Sequence, residues 1–358
     1  MQAIKSSVKE RNFSLDLLRI IACLLVMWQH ASEFFYIDPN IQLLPGVGPY
    51  HLAWLNSLSR CCIGLFVMIS GYFLLPMKGT SGKFYKKHFA RILIPFIIWC
   101  VAYAVYYVFY RGDSLSTCLI NIAHIPVNFG TEVGHLWFIY MLAGIYLIVP
   151  IISPWIERCS KREMQIFLGI WLLTTLIPYI HLIFPAILGE CSWNDTPTLY
   201  YFTGFIGYFV LGNYIKRYGT PSAGILICIL VIGYLISALT FRYALGVTTD
   251  CVKIETGWGF CTTNVAMMVY AVFGLVNKIN IKSKNIATNL VTNISLNSYA
   301  IYLLHIMVLN FMHDVVYKGI DNVWIAVPAL AVSTFICTYI ITWILSHLPK
   351  ANKWLGTK

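Results

Sequence analysis

The sequence predicts an all-α integral membrane protein, a bundle of about ten transmembrane helices with both termini cytoplasmic, and three observations predict it. The first is composition: 59% of the residues are hydrophobic, only 11% are charged, and the mean hydropathy is +0.72. A soluble domain carries roughly 25% charged residues and about 45–50% apolar ones, so soluble, disordered, collagenous and coiled-coil classes are excluded together. The second is a row of long uncharged segments, each near the roughly 20 residues that cross a bilayer. The third is where the basic residues fall between them.

Eight segments lack Asp, Glu, Lys and Arg: 92–110, 134–156, 164–189, 196–215, 218–241, 256–277, 285–313 and 322–349. Two further spans, about 15–36 and 52–75, carry interior charge, including Arg19 and Glu33 in the first and Arg60 in the second. With the N-terminus inside, the inner segments hold 19 of the 25 Lys and Arg residues, grouped in 5–11, 78–91, 158–162, 216–217, 278–284 and 350–358. The outer loops hold only Arg111, Arg242, Lys253 and Lys318. Cytoplasmic loops carry such an excess, so the net charge of +11 reports topology and no nucleic-acid partner is expected. The basic start before an apolar run resembles a signal peptide, but no small-residue cleavage site follows, and it reads as a retained first span. No repeat period or long linker interrupts residues 1–358, which are expected to form one transmembrane domain without an appended soluble one. The 11 cysteines sit mostly in apolar runs and include no C-x-x-C pair, so neither zinc nor a disulfide framework is indicated. Cys191, Cys251 and Cys261 fall near outer loops, where pairing stays open.

Ionisable groups inside a span cost at least about 2.5–3.5 kcal/mol, which makes each a functional candidate. The first span holds the densest set, SLDLLR at 14–19 and WQHASE at 28–33. Arg19 and His30 are eleven positions apart. At about 1.5 Å and 100° per residue they share nearly one helix face, roughly 16 Å apart in depth. Glu33 follows His30 by three and lies on the same side. A cation near the cytoplasm and an imidazole–carboxylate pair further out suit a ligand lying along the helix, its anionic part held inside. The competing reading has Arg19 snorkelling to the headgroups and His30 resting in the outer interface.

A second cluster is KFYKKHFARILIP at 83–95, where Lys87 and Arg91 are four apart and face the same way on a helix. Such a pair holds phosphates, Arg bidentately and Lys as a point charge, although a plain inner loop on anionic lipids has the same composition. GHLWFIY at 134–140 sets His135 at the outer opening of the fourth span, as a candidate or as an interfacial anchor. His305, in SYAIYLLH at 298–305, lies mid-span, where a helix-packing hydrogen bond is the alternative. Ser70 and Gly71 suit a close helix contact. The chain has no G-x-S-x-G elbow, no H-E-x-x-H and no acidic cluster, so neither a serine nucleophile nor a metal is expected.

Taken in order, these motifs resemble the membrane acyltransferase-3 family. Its marks are an Arg and a His near the start of the first span, an I-S-G-Y/F segment in the second, a basic stretch running into R-I-x-x-P, then H-L-W-F and a late S-x-x-I-Y-L-L-H. Here they are Arg19 with His30, FVMISGYF at 66–73, 86–95, 135–138 and 298–305. They cover the chain from end to end, with a departure at His88 and Ala90, where arginines are frequent in the family. The likeness runs to the stand-alone O-acetyltransferases of cell-surface glycans in the bacterial cytoplasmic membrane.

The resemblance implies transfer of an acyl group, usually acetyl, from cytoplasmic acyl-CoA to a hydroxyl of a glycan or lipid-linked saccharide. On that reading Arg91, Lys87 and Arg19 bind the phosphate-bearing part of acetyl-CoA. His30 acts as general base with Glu33 orienting it, since imidazole suits proton transfer near neutrality. His135 then binds the acceptor or the oxyanion. Direct transfer and an acyl-histidine relay both remain open. A transporter or flippase of a lipid-linked sugar is the alternative that composition alone allows, although the paired broken helices of many transporters are missing.

Overall fold

The computed structural model describes residues 11–38, 40–184, 190–191, 194–197, 204–281 and 285–357. It is an all-α membrane bundle. Along the chain run α1 (Phe13–Glu33), α2 (Gly48–Leu55), α3 (Cys62–Leu74), α4 (Ser81–Tyr110), α5 (Leu115–Ala123), α6 (Phe129–Glu132), α7 (Trp137–Arg158) and α8 (Lys161–Thr174). Then come α9 (Ile177–Ile183), α10 (Ile206–Tyr218), α11 (Ala223–Leu245), α12 (Cys251–Ile254), α13 (Thr263–Asn277), α14 (Ile286–Met312), α15 (Val323–Leu345) and α16 (Ala351–Trp354). A two-stranded ribbon, β1 (Glu190–Cys191) with β2 (Asn194–Pro197), lies between α9 and α10.

Nine helical stretches among the described residues are long and apolar enough to cross a membrane. The expected sixth span, 196–215, is not among them: it falls partly on residues 198–203, outside the described residues, and α10 by itself has 13 residues. The second expected span, 52–75, is not one helix. It breaks into α2, a 3-10 turn over Ser57–Cys61, and α3. The cause is the polar run Asn56, Ser57, Ser59 and Arg60, all buried. Ser57 Oγ donates to the Ala53 carbonyl (2.6 Å) and Ser59 Oγ to that of Asn56 (2.7 Å), and such local bonds compete with a regular helix. The fifth span likewise divides between α8 and α9, with Pro178 in the first turn of α9. Cys251 and Cys261 are free thiols, and the Cys191 side chain lies outside the described residues.

α1 occupies the middle of the bundle, packed on α3, α14 and α15. Asn12 caps it by accepting the Leu15 amide, and Asp16 sits in its first turn, where a carboxylate complements the helix dipole. α4 has 30 residues and is therefore about 45 Å long, more than the roughly 30 Å of hydrocarbon in a bilayer. Its first turns, carrying Lys83, Lys86, Lys87 and Arg91, extend past that layer and mark the basic end of the bundle.

α3 and α10 cross backbone to backbone. A Cβ on Gly71 would lie 1.8 Å from the Phe209 carbonyl oxygen, and one on Gly212 would lie 2.1 Å from that of Met68. Small residues permit this approach, which dispersion and packing reward in a membrane. Gly71→Ala should force α10 outward and cost about 1–3 kcal/mol. A lowered unfolding midpoint in mild detergent checks this, and an unchanged midpoint would show that the crossing is soft.

Candidate active site

The site has two halves, set at different depths along α1. In the basic half, Asp16 is 2% exposed and gathers three donors. Arg11 reaches it bidentately, Nε at 2.9 Å and Nη2 at 2.7 Å, Arg19 Nη1 lies at 3.0 Å, and Ser295 Oγ of α14 donates at 2.7 Å. Arg19 also stands over the Phe73 ring, its Cζ 5.1 Å from the centroid. So Arg19 is clamped between a carboxylate and an aromatic face, not snorkelling freely. A cavity of about 710 Å³ opens here, lined by Arg11, Arg19, Lys78, Lys83, Lys87 and Arg91 among others. The three residues the sequence singled out for phosphates, Arg19, Lys87 and Arg91, thus face one space.

Three helices contribute the deep wall of that cavity, and on each the deepest lining residue is aromatic. These are Phe66 on α3, Phe138 on α7 and Tyr302 on α14. Their ring centroids lie 6.0 Å (Phe66–Phe138), 6.3 Å (Phe66–Tyr302) and 5.7 Å (Phe138–Tyr302) apart, forming one aromatic layer. The Tyr302 hydroxyl donates to the His135 carbonyl and ties the layer to what lies beyond.

Beyond it three histidines meet from three parts of the chain. His30 comes from α1, His305 from the middle of α14, and His135 from the turn before α7, where Gly134 takes a positive φ of 98°. Ring centroids are 5.5 Å (His30–His305), 6.4 Å (His30–His135) and 4.7 Å (His135–His305) apart. His135 and His305 are buried. The Tyr103 ring of α4 packs 5.3 Å from His135.

Hydrogen bonds fix two of the tautomers. His305 Nδ1 lies 2.6 Å from the Tyr302 carbonyl, which only accepts, so Nδ1 carries the proton and Nε2 presents a lone pair. His30 Nδ1 lies 2.8 Å from Glu33 Oε2, which in its ionised form imposes the same tautomer. Neither His135 ring nitrogen, nor His305 Nε2, makes a well-formed hydrogen bond, although all three are buried; the His135 ring has only weaker reach to the backbone of Leu303 and Val133. Buried polar atoms are ordinarily satisfied, so three such atoms in one place point to a ligand. Of the predicted residues, His30, Glu33 and His135 therefore fall in one half, and Arg19, Lys87 and Arg91 in the other. His305, open in the sequence between packing and function, joins the first group.

Asp16, Tyr302 and Arg60 carry structure at the site that spacing did not announce. Arg60 packs its guanidinium 4.2 Å from the Trp258 ring centroid and sets Nη2 3.5 Å from the Tyr36 hydroxyl, which donates to Glu255 Oε1 at 2.5 Å. The charge of Arg60 also bears on Glu33. Among the described residues, no group of three or more His, Cys, Asp or Glu is arranged to hold a metal ion.

Searches of curated proteins and of solved structures each returned no match. Residues 12–343 match the acyltransferase-3 family, described as an acyltransferase domain. That stretch takes in every residue of both halves of the site except Arg11, and with nine membrane-crossing stretches among the described residues it identifies the chain as a multi-pass membrane acyltransferase, a member of the acyltransferase-3 family.

Proposed function

We propose that this acyltransferase moves an acetyl group from cytoplasmic acetyl-CoA to a hydroxyl of a cell-surface or lipid-linked glycan. The setting is a bacterial cytoplasmic membrane, with the basic end facing the cytoplasm as the positive-inside distribution requires. What carries the reading is the three-histidine centre one ring layer beyond a basic cavity of about 710 Å³, a volume within the range of small-molecule sites. Arg91 and Lys87 supply cations for the phosphates of the donor, Arg19 takes the next stretch, and the thioester passes between Phe66, Phe138 and Tyr302.

In the reaction, His30 Nε2 takes the proton of the acceptor hydroxyl as its oxygen attacks the thioester carbonyl. His135, whose ring N–H makes no well-formed hydrogen bond, donates to the oxyanion. Collapse breaks the C–S bond, and the imidazolium returns its proton to the departing sulfur. His30 suits the base role better than His305 because its partner is a carboxylate. Glu33 stabilises the charge that forms on the ring, whereas the carbonyl that holds His305 fixes only a tautomer.

Labelled acetyl-CoA added to membranes containing the protein should label the surface glycan. Arg91→Ala should raise the KM for acetyl-CoA by about 10–100-fold, the worth of lost charge-assisted bonds to phosphate. Wild-type membranes that label no glycan from acetyl-CoA, with the protein folded, would sink the proposal, and glycan movement without acylation would place the chain's chemistry elsewhere.

A further inference from the structure

On the reading above the donor reaches the histidine centre from the basic end, past Phe66, Phe138 and Tyr302, which leaves the opposite end, between α1, α4 and α14, to the acceptor. The side chains there form a continuous series. On α4 a stripe of tyrosines leads away from His135: Tyr103 beside that ring, then Tyr106 at 6.2 Å from Tyr103, then Tyr110 stacked on Tyr106 at 4.9 Å and 14°. At the cap of α1, Phe34 stands one turn past His30 and stacks on His313 at 3.8 Å and 6°. Asn310 Nδ2 donates to the Tyr106 hydroxyl at 3.3 Å. Asp314 then joins the two walls, its Oδ2 accepting from the Tyr110 hydroxyl (2.9 Å) and its Oδ1 lying 2.9 Å from His313 Nδ1.

His313–Tyr317 leave the α-helical register for a π-helical turn. That geometry is uncommon, recurs at functional sites, and here turns His313 and Asp314 toward α1 and α4. Tyr110 and Asp314 are exposed, at 42% and 44%. An interfacial tyrosine that only anchors the bundle needs no carboxylate partner. Flat aromatic faces flanked by an amide and a carboxylate, both with spare hydrogen-bonding capacity, match the apolar faces and the hydroxyls of a sugar ring.

We propose that the ends of α1, α4 and α14 away from the basic cavity form the acceptor subsite, which takes a neutral saccharide. One ring stacks on the face of Tyr110 turned away from Tyr106, its hydroxyls bond to Asp314 and Asn310, and the next hydroxyl inward reaches His30. The assignment rests on the acyl-transfer reading above, but it can be tested without transfer. Chitotetraose, cellotetraose and maltotetraose, added separately to the purified full-length protein in detergent without acyl donor, serve as probes in saturation-transfer NMR.

At least one tetrasaccharide should bind the wild type. Asp314→Asn and Tyr110→Ala should each weaken its Kd by about tenfold or more, the equivalent of one hydrogen bond to a charged group. Tyr243→Ala, which removes an exposed tyrosine at the end of α11, should leave the Kd unchanged. Asp314→Asn keeps shape and volume, so the test stays readable if Tyr110→Ala unfolds. No binding by the wild type, or an Asp314→Asn variant that binds as well as wild type, overturns the subsite. Because no donor is present, that failure leaves the acyl-transfer reading standing, and a failure to label glycan leaves the subsite standing.

Discussion

His30→Ala should lower acetyl transfer by about 10²–10⁴-fold at saturating donor and acceptor, the span expected for removal of a general base. The loss belongs in kcat, because His30 lies beyond the aromatic layer and does not line the basic cavity, so the KM for acetyl-CoA should hold. Glu33→Gln separates the base from its orientation. The glutamine amide can still meet His30 Nδ1 at a distance near the present 2.8 Å, but it brings no charge and lets the ring flip tautomer. A kcat reduced nearly as far as in His30→Ala is the expected result. His305→Ala should cost less, about tenfold, since it removes a neighbour of the base and not the base. Single-turnover rates on protein of matched monodispersity check all three. Equal rates for wild type and Glu33→Gln, or a deeper loss in His305→Ala than in His30→Ala, would transfer the base to His305.

Much of this was legible because membranes write their constraints locally. A span is a length of uncharged residues and its direction follows from nearby basic residues, so the bundle needs no long-range information. The same holds within one helix: Arg19, His30 and Glu33 lie on α1, and helical geometry alone places them on one side at two depths. It was the meeting of distant segments that one sequence could not show. His305 and His135 are 170 positions apart and reach His30 only through the packing of α14 on α1 and of α7 on α3 and α4. Polar residues are spread around α14, Asn289, Asn293, Asn297, Ser298 and Asn310 among them, so no single stripe says which side of it faces inward.

Arg60 shows the opposite failure. Its neighbours Asn56, Ser57 and Ser59 were visible as a polar run, yet a window of about 20 residues averages such a run away. In the structure those four residues break the expected helix. The aromatic layer was hidden for another reason. Phe66, Phe138 and Tyr302 look like ordinary core residues, and only a cavity ending on all three distinguishes them.

Asp16→Asn should destabilise the protein by about 3 kcal/mol, the low end of what breaking a buried ion pair costs, because the neighbouring cavity admits solvent. Asp16 lies in the first turn of α1, where a carboxylate acting only on the helix dipole is worth about 0.3–1 kcal/mol. The larger figure follows from its partners. It is nearly inaccessible and holds Arg11, Arg19 and Ser295 together, so it joins the start of α1 to α14 and neutralises a cation that would otherwise be buried beside Phe73. An asparagine keeps one acceptor and loses the charge, which leaves Arg19 uncompensated. The loss should therefore shrink in the double variant Asp16→Asn with Arg19→Met, where the orphaned cation is gone. The KM for acetyl-CoA should also rise in Asp16→Asn, because Arg19 no longer has a fixed position at the cavity wall. Chemical unfolding in detergent and donor titrations test both expectations. A loss below about 1 kcal/mol with an unchanged KM would reduce Asp16 to a helix-dipole charge and leave the position of Arg19 to its contact with Phe73.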